Sequence, residues 1–203
     1  MTTTLAPKVR INDRDLLSLI LTVALAIIAL FAGLLLRGSV ESRTRAYTSP
    51  AGVVIQYPDT WRLNSADAAQ GALRARDTNA LSYATTLELQ TYAIDASADD
   101  AEALGMIANQ AALSRAANLS AFKLFEVRTG QIIKGLPGAT ASYVFVSNAG
   151  GVMQEGMPVV VMGDDMVARK GGAVYVFSVL STENNHDRAM AQLKAFVDSA
   201  QLP

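Results

Sequence analysis

The chain has 203 residues, with 17 Lys and Arg against 18 Asp and Glu, a formal net charge of −1 and no cysteine. That length accommodates a membrane segment and one soluble domain, and the lack of cysteine excludes disulfides, thiolate metal sites and cysteine nucleophiles. The part after Arg45 carries 11 Lys and Arg against 15 Asp and Glu, a net of −4 with no clustered basic stripe, which argues against nucleic acid or anionic lipid headgroups as partners.

The first element is an apolar run, Leu16 to Leu36, whose 21 residues carry no charge. At about 1.5 Å per residue a helix of this length reaches roughly 30 Å, the thickness of a bilayer's hydrocarbon core. A cleavable signal peptide also has a basic start, here Lys8, Arg10 and Arg14, but its apolar core is typically about 7–15 residues and ends in a small-x-small site. The sequence after Leu36 is Arg37-Gly38-Ser39-Val40-Glu41-Ser42-Arg43, with no Ala-x-Ala. An uncleaved signal anchor over 16–36 is therefore expected. Charge does not orient it, because Arg37, Arg43 and Arg45 balance the N-terminal cations. Long C-terminal domains translocate largely regardless of charge, and a short basic tail usually stays inside. The expected order is a cytoplasmic tail over 1–15, the anchor, a linker over 37–50 and an extracytoplasmic domain over 51–203, in the cell membrane.

Placed 100° apart, Ser18, Thr22, Ala26, Ala29 and Gly33 fall in a sector of about 80° on the anchor. Small faces let spanning helices approach closely, and Ser and Thr can hydrogen-bond across. The stripe is either a packing face for another spanning helix or a chance outcome of residues common in any such helix.

Beyond the polar linker, Gly52-Val53-Val54-Ile55-Gln56-Tyr57 is rich in β-branched residues and stops at Pro58-Asp59, which reads as a strand and a turn. Gly71 to Arg76 and Tyr83 to Ile94 are further strands, the latter alternating Leu87, Leu89 and Thr91 against Glu88, Gln90 and Tyr92. Ser97 followed by Asp99, Asp100 and Glu102 resembles a helix start. A helix is expected over 98–117 with Leu104, Ile107, Ala108 and Ala111 on its apolar face and Asn109 and Arg115 elsewhere. Strands are then expected over 122–129, 131–134, 140–147, 158–168 and 173–180. The turns between them are Gly135-Leu136-Pro137-Gly138, Asn148-Ala149-Gly150-Gly151 and the hairpin signal Lys170-Gly171-Gly172. A closing amphipathic helix from near Ser181-Thr182-Glu183 carries Met190, Leu193, Phe196 and Val197 on one face, with Arg188 and Lys194 toward solvent. The order strands, helix, strands, helix gives an α+β domain in which helices cover an antiparallel sheet.

The segment Thr48-Ser49-Pro50-Ala51-Gly52-Val53-Val54-Ile55-Gln56-Tyr57-Pro58-Asp59-Thr60-Trp61 resembles the opening of the PsbP/Mog1-like superfamily, a strand ending in Tyr-Pro shortly before a Trp. The resemblance continues through a central helix, Lys134-Gly135-Leu136-Pro137-Gly138-Ala139, the late strand Gly172-Ala173-Val174-Tyr175-Val176-Phe177 and a closing helix with Phe196-Val197-Asp198-Ser199, covering about 47–203. It implies an α-β-α sandwich used as a binding or accessory module. Plant and cyanobacterial members dock on photosystem II, others assist assembly of membrane complexes, and the Mog1 branch binds a small GTPase. The superfamily has no general catalytic motif, so the resemblance supplies no site residue.

The residues themselves offer few sites. His186 is the only histidine, beside Asn184, Asn185 and Asp187, and a triad or zinc site would need partners the chain lacks. Asp99-Asp100 and Asp164-Asp165 lack the spacing of a calcium loop and read as a helix start and a turn or bulge. Met153, Met157, Met162 and Met166 could offer thioethers to Cu(I), but methionines equally fill irregular cores and adaptable interfaces. Gly150-Gly151 and Gly171-Gly172 lie between strands, unlike phosphate loops. Trp61 reads as a packing residue. No catalytic, cofactor-binding or metal residue is assigned. The expectation is a non-enzymatic single-pass accessory or assembly subunit of a larger membrane complex; the resemblance implies a photosynthetic or respiratory one, and so a photosynthetic membrane as the alternative to the cell membrane. Its partners would be the spanning helices and extracytoplasmic surfaces of that complex, together with the lipid bilayer. The alternatives are a free-standing, membrane-tethered sensor or ligand-binding domain and, third, a hydrolase or metalloenzyme.

Overall fold

A computed structural model describes residues 13–41, 43–64, 72–79, 83–94, 100–117, 119–148 and 158–203, with side chains of the first segment described from Leu16 to Leu36. Two units divide the chain, Met1–Arg43 and Thr44–Pro203. The first contains helix α1, Asp13–Glu41, 29 residues long. Its stretch Leu16–Leu36 is long and apolar enough to cross a membrane, and every side chain along it is exposed. A soluble helix could not leave such a surface in water, so α1 fits a membrane anchor.

The second unit opens with two strands, β1 (Thr44–Thr48) and β2 (Val54–Pro58), which pair antiparallel as a separate ribbon. The strand expected from Gly52 to Tyr57 is β2. The linker expected over 37–50 is largely regular structure instead, because α1 continues to Glu41 and β1 fills Thr44–Thr48. The sequence Thr-Arg-Ala-Tyr-Thr half-buries only Tyr47, so no apolar alternation betrays β1. Its ladder partner in β2 makes it a strand.

The main sheet has seven strands in the order β3-β4-β5-β9-β8-β7-β6, every neighbouring pair antiparallel. They are β3 (Arg62–Asn64), β4 (Leu73–Arg76), β5 (Thr86–Ala93), β6 (Ser120–Ile133), β7 (Leu136–Ser147), β8 (Val159–Lys170) and β9 (Ala173–Thr182). The two segments expected over 122–134 form the single strand β6, whose register shifts mark bulges. Two tight hairpins fix the register of the right half. Lys134 and Gly135 both have positive φ, 53° and 76°, as a type I′ turn requires, and Gly171 at φ 60° begins the β8–β9 turn.

Helix α2 (Asp100–Ala116) covers one face of the sheet and α3 (His186–Ser199) the other. Side chains alternate along each strand, so the same strands feed two different layers. Under α3 lie Leu87, Leu89, Phe177 and Val179, meeting Ala189, Leu193, Phe196 and Val197 in one core cluster, with Trp61 and β2 also in it. Phe177 and Phe196 pack edge to face with centroids 5.9 Å apart. Under α2, Leu104, Ala108 and Ala111 meet Ala139, Ala141, Val167, Val174 and Val176. Small alanines on both sides bring α2 close to the sheet.

Candidate functional site

The end of α2 stands over a polar patch that the sheet register assembles. Glu88 on β5 lies opposite Ser178 on β9, and Ser178 lies opposite Asp165 on β8. All three point toward α2. Arg115, in the last turn of α2, reaches down onto them. One guanidinium nitrogen, Nη1, donates to both carboxylate oxygens of Asp165 at 2.7 Å and to Tyr143 Oη at 2.5 Å. Nη2 donates to Ser178 Oγ at 2.7 Å and to Glu88 Oε2 at 3.3 Å. Tyr143 Oη donates to Asp165 at 3.2 Å, and Arg74 Nε on β4 donates to the second Glu88 oxygen at 2.7 Å. The Asp165 side chain is 0% exposed, that of Glu88 4% and that of Arg115 11%.

A neighbouring glycine makes the tyrosine's reach possible. Tyr143 is opposite Gly163 on β8, and a Cβ at Gly163 would stand 2.2 Å from the Tyr143 ring. The ring therefore lies across the bare backbone of β8, and its hydroxyl arrives at Arg115 and Asp165.

Burial pushes the Asp165 carboxyl above its ordinary range, opposed by Arg115, Ser178 and Tyr143. Burial works against charge on Arg115 too, yet Asp165, Tyr143 and Glu88 raise its pKa so that it stays a cation. The Tyr143 phenol is held well above 10 by burial and then by Asp165, so it stays a neutral donor. The Tyr83 phenol is pushed up to about 12, first by burial and next by Glu88. Each buried charge is hydrogen-bonded, as burial demands.

Beside this network a cleft of about 370 Å³ opens between the C-terminal end of α2 and strands β4 and β5. Arg74, Arg76, Thr86, Glu88 and Gln90 line one side and Ser114, Arg115, Leu119, Phe145 and Leu180 the other, with Tyr83 and Ser147 also in the wall. Guanidinium groups, hydroxyls and an apolar wall at this size suit binding of a small ligand.

Three expectations are corrected here. Arg115, read as lying off the working face of the helix, is the hub of the network. Asp164-Asp165, read as a turn or bulge, lies in mid-strand β8 with the two side chains on opposite faces. Glu88, read as part of a polar strand face, is buried at 3% exposure because β5 is covered on both sides there. The signal available was the acid itself, flanked by Thr86, Leu87 and Leu89 in a run otherwise suited to a buried strand.

The other sequence candidates do not converge. Ser18, Thr22, Ala26, Ala29 and Gly33 are all exposed on α1, and the Thr22 hydroxyl donates to the Ser18 carbonyl at 2.8 Å, inside its own helix. Gly33 has nothing around its Cβ position within 4 Å. His186 opens α3 on the opposite face of the sheet, its Nε2 3.6 Å from Asp164, and Asp164 also accepts from Ser142 at 2.6 Å. The order Ser–Asp–His leaves the serine without a base, since a triad needs the histidine between the other two. Met162 and Met166 are partly buried on β8, whereas Met153, Met157, Gly150, Gly151, Ser97 and Asp99 lie outside the described residues. Among the described residues no group of three or more His, Cys, Asp or Glu side chains could hold a metal ion. Trp61 is a core residue at 7% exposure.

No protein-family model and no curated protein sequence matches the chain. Among solved structures, the cyanobacterial PsbP protein CyanoP from Synechocystis sp. PCC 6803 superposes with a TM-score of 0.56 at 14% identity, covering 79% of this chain and 92% of that one. The unit Thr44–Pro203 has the PsbP/Mog1-like fold. The Ran-binding protein Mog1p of Saccharomyces cerevisiae is similar over 79% of this chain and 95% of its own, at 10% identity and a TM-score of 0.46. A protein from Bacteroides thetaiotaomicron VPI-5482 matches at 11% identity and a TM-score of 0.47, and this chain spans 48% of its length. The chain thus joins a PsbP/Mog1-like domain to an N-terminal apolar helix fit to anchor it in a membrane.

Proposed function

We propose that this protein is a non-enzymatic, single-pass accessory or assembly subunit of a larger membrane complex, with its PsbP/Mog1-like domain on the extracytoplasmic side. The observation that carries the reading is the union of two parts: a helix of membrane-crossing length whose apolar side chains from Leu16 to Leu36 are exposed, and a domain with the fold of CyanoP. The small stripe of Ser18, Thr22, Ala26, Ala29 and Gly33 gives the helix a face on which another spanning helix can close. Photosynthetic or respiratory complexes are the partner class that the superfamily resemblance suggests. Replacing Ala26, Ala29 and Gly33 with Leu tests it: the variant should remain in the membrane but lose co-purification with a large complex in mild detergent. Unchanged co-purification, or a wild-type protein that migrates alone, sinks the reading.

A second reading, a membrane-tethered ligand-binding domain, is favoured by the cleft beside Arg115. A ligand-binding domain needs a formed pocket with a few converging polar groups, and the cleft supplies both. The two readings are compatible in one chain, because the anchor and the cleft are different surfaces.

A further inference from the structure

Eleven Lys and Arg side chains belong to the part of the chain after Arg45, and four of them meet at one corner of the sheet. Arg62 on β3 lies directly opposite Arg76 on β4, and Arg74, two residues along β4, shares their face. Alternation turns this face toward α2, where Arg115 is the fourth. Like charges directly opposite on a ladder repel. Among the described residues the acids on this part of the face are Glu88 and Asp165, and Arg115 and Arg74 already occupy them. Among the described residues four guanidinium groups face two carboxylates, an excess of two positive charges, and no salt bridge reaches Arg62 or Arg76. A domain with 11 Lys and Arg against 15 Asp and Glu therefore concentrates, among the described residues, an excess of positive charge on the rim of its cleft.

The opposite wall is of another kind. Leu119, Phe145 and Leu180 present hydrocarbon to the cleft, and Thr86, Gln90 and Ser114 add neutral polar groups to its lining. Arginine forks match the oxygens of phosphate and carboxylate groups, and an apolar wall rewards an uncharged body. We propose that this cleft binds a small organic anion, a phosphate monoester or carboxylate whose charged head sits at Arg76 with Arg62 behind it and whose apolar body lies on Leu119, Phe145 and Leu180. Arg74 and Arg115 are tied down by Glu88 and Asp165, so they shape the pocket and add to its field, and Arg76 makes the direct contact. Arg76 is exposed and belongs to no core cluster, so its loss removes affinity without unfolding the domain.

The inference deepens the ligand-binding reading and stands apart from the membrane-complex one. Full-length protein in a zwitterionic detergent, titrated calorimetrically with phenyl phosphate, inorganic phosphate and a short-chain phosphatidic acid, is the test. Phenyl phosphate should bind about ten-fold or more tightly than inorganic phosphate. Arg76→Gln should weaken it about ten-fold or more at an unchanged melting temperature, and Lys194→Gln, on the solvent side of α3, should leave it alone. Tighter binding of the phosphatidic acid would assign the head to a lipid, and tighter binding of phenyl phosphate to a free metabolite. The proposal is overturned by no binding at millimolar concentration, by equal affinity for the inorganic ion, by binding indifferent to Arg76→Gln, or by an oligoglutamate peptide that binds where phenyl phosphate does not. The triple leucine variant of the anchor should bind phenyl phosphate normally, so failure of the complex and failure of the cleft read out separately.

Discussion

On the α3 side of strands β5, β8 and β9 the sheet presents Leu87, Leu89, Met166, Phe177 and Val179, while on the α2 side of the same strands it presents Glu88, Asp165 and Ser178. Both layers are buried, but they hold together for different reasons. The α3 layer is hydrocarbon, and each residue there contributes by leaving water, at roughly 1.5–3 kcal/mol for a large side chain. The charged part of the α2 layer is a closed set in which every member needs the others. Removing one strands a charge, whereas removing one hydrocarbon leaves only a hole. The first layer therefore degrades gradually and the second all at once.

The largest effect should come from Arg115→Met, which leaves Asp165 buried without its cation and Glu88 with Arg74 alone: a loss of about 3–5 kcal/mol in denaturant unfolding is expected. Combining Arg115→Met with Asp165→Leu and Glu88→Leu should recover much of it, because a hydrocarbon replacement of the whole set carries no orphaned charge. A triple variant no more stable than the single one would show that the two layers do not differ as argued. On the hydrocarbon side, Leu193→Ala should cost about 3 kcal/mol through the cavity it leaves. A pair of gentle substitutions sharpens the contrast. Asp165→Asn keeps shape but not charge and should cost about 2–3 kcal/mol, whereas Leu193→Met keeps volume and should cost less than about 1.5 kcal/mol. Equal costs would remove the distinction.

The smallest effect is confined to alkaline pH. The folded Tyr83 phenol keeps its proton up to about pH 12, while an unfolded tyrosine releases it near 10. Between those values the native state binds the extra proton, so stability falls as pH rises across the window. Tyr83→Phe should flatten that fall, read as the pH dependence of the unfolding midpoint above pH 10. An identical slope in the variant would mean that the phenol is not shielded.

Much of the fold was legible because it rests on local patterns. The apolar run of α1, the glycines at 171 and 172, the acidic start of α2 and the Leu193–Phe196–Val197 face of α3 each declare an element within a few residues. The site was not. Arg115 is separated from Glu88 by 27 residues and from Asp165 by 50, and nothing near any of them in sequence says that they meet. A charged residue reads as solvent-facing until its partner is found, which is why Asp165 passed for a turn and Arg115 for a residue off the apolar face of its helix. The arginines of β4 were visible as Arg74-Ala75-Arg76, but their crowding against Arg62 exists only across the β3–β4 ladder.

The sequence by itself determined that the chain has an anchor-length apolar helix and an antiparallel α+β domain, since hydrophobic length and period are properties of consecutive residues. The tertiary structure alone decided which charges are buried, which are left uncompensated and where a cleft stands between them. Those outcomes depend on strand order and register, and a long-range pairing leaves no periodic trace in the segments that it joins.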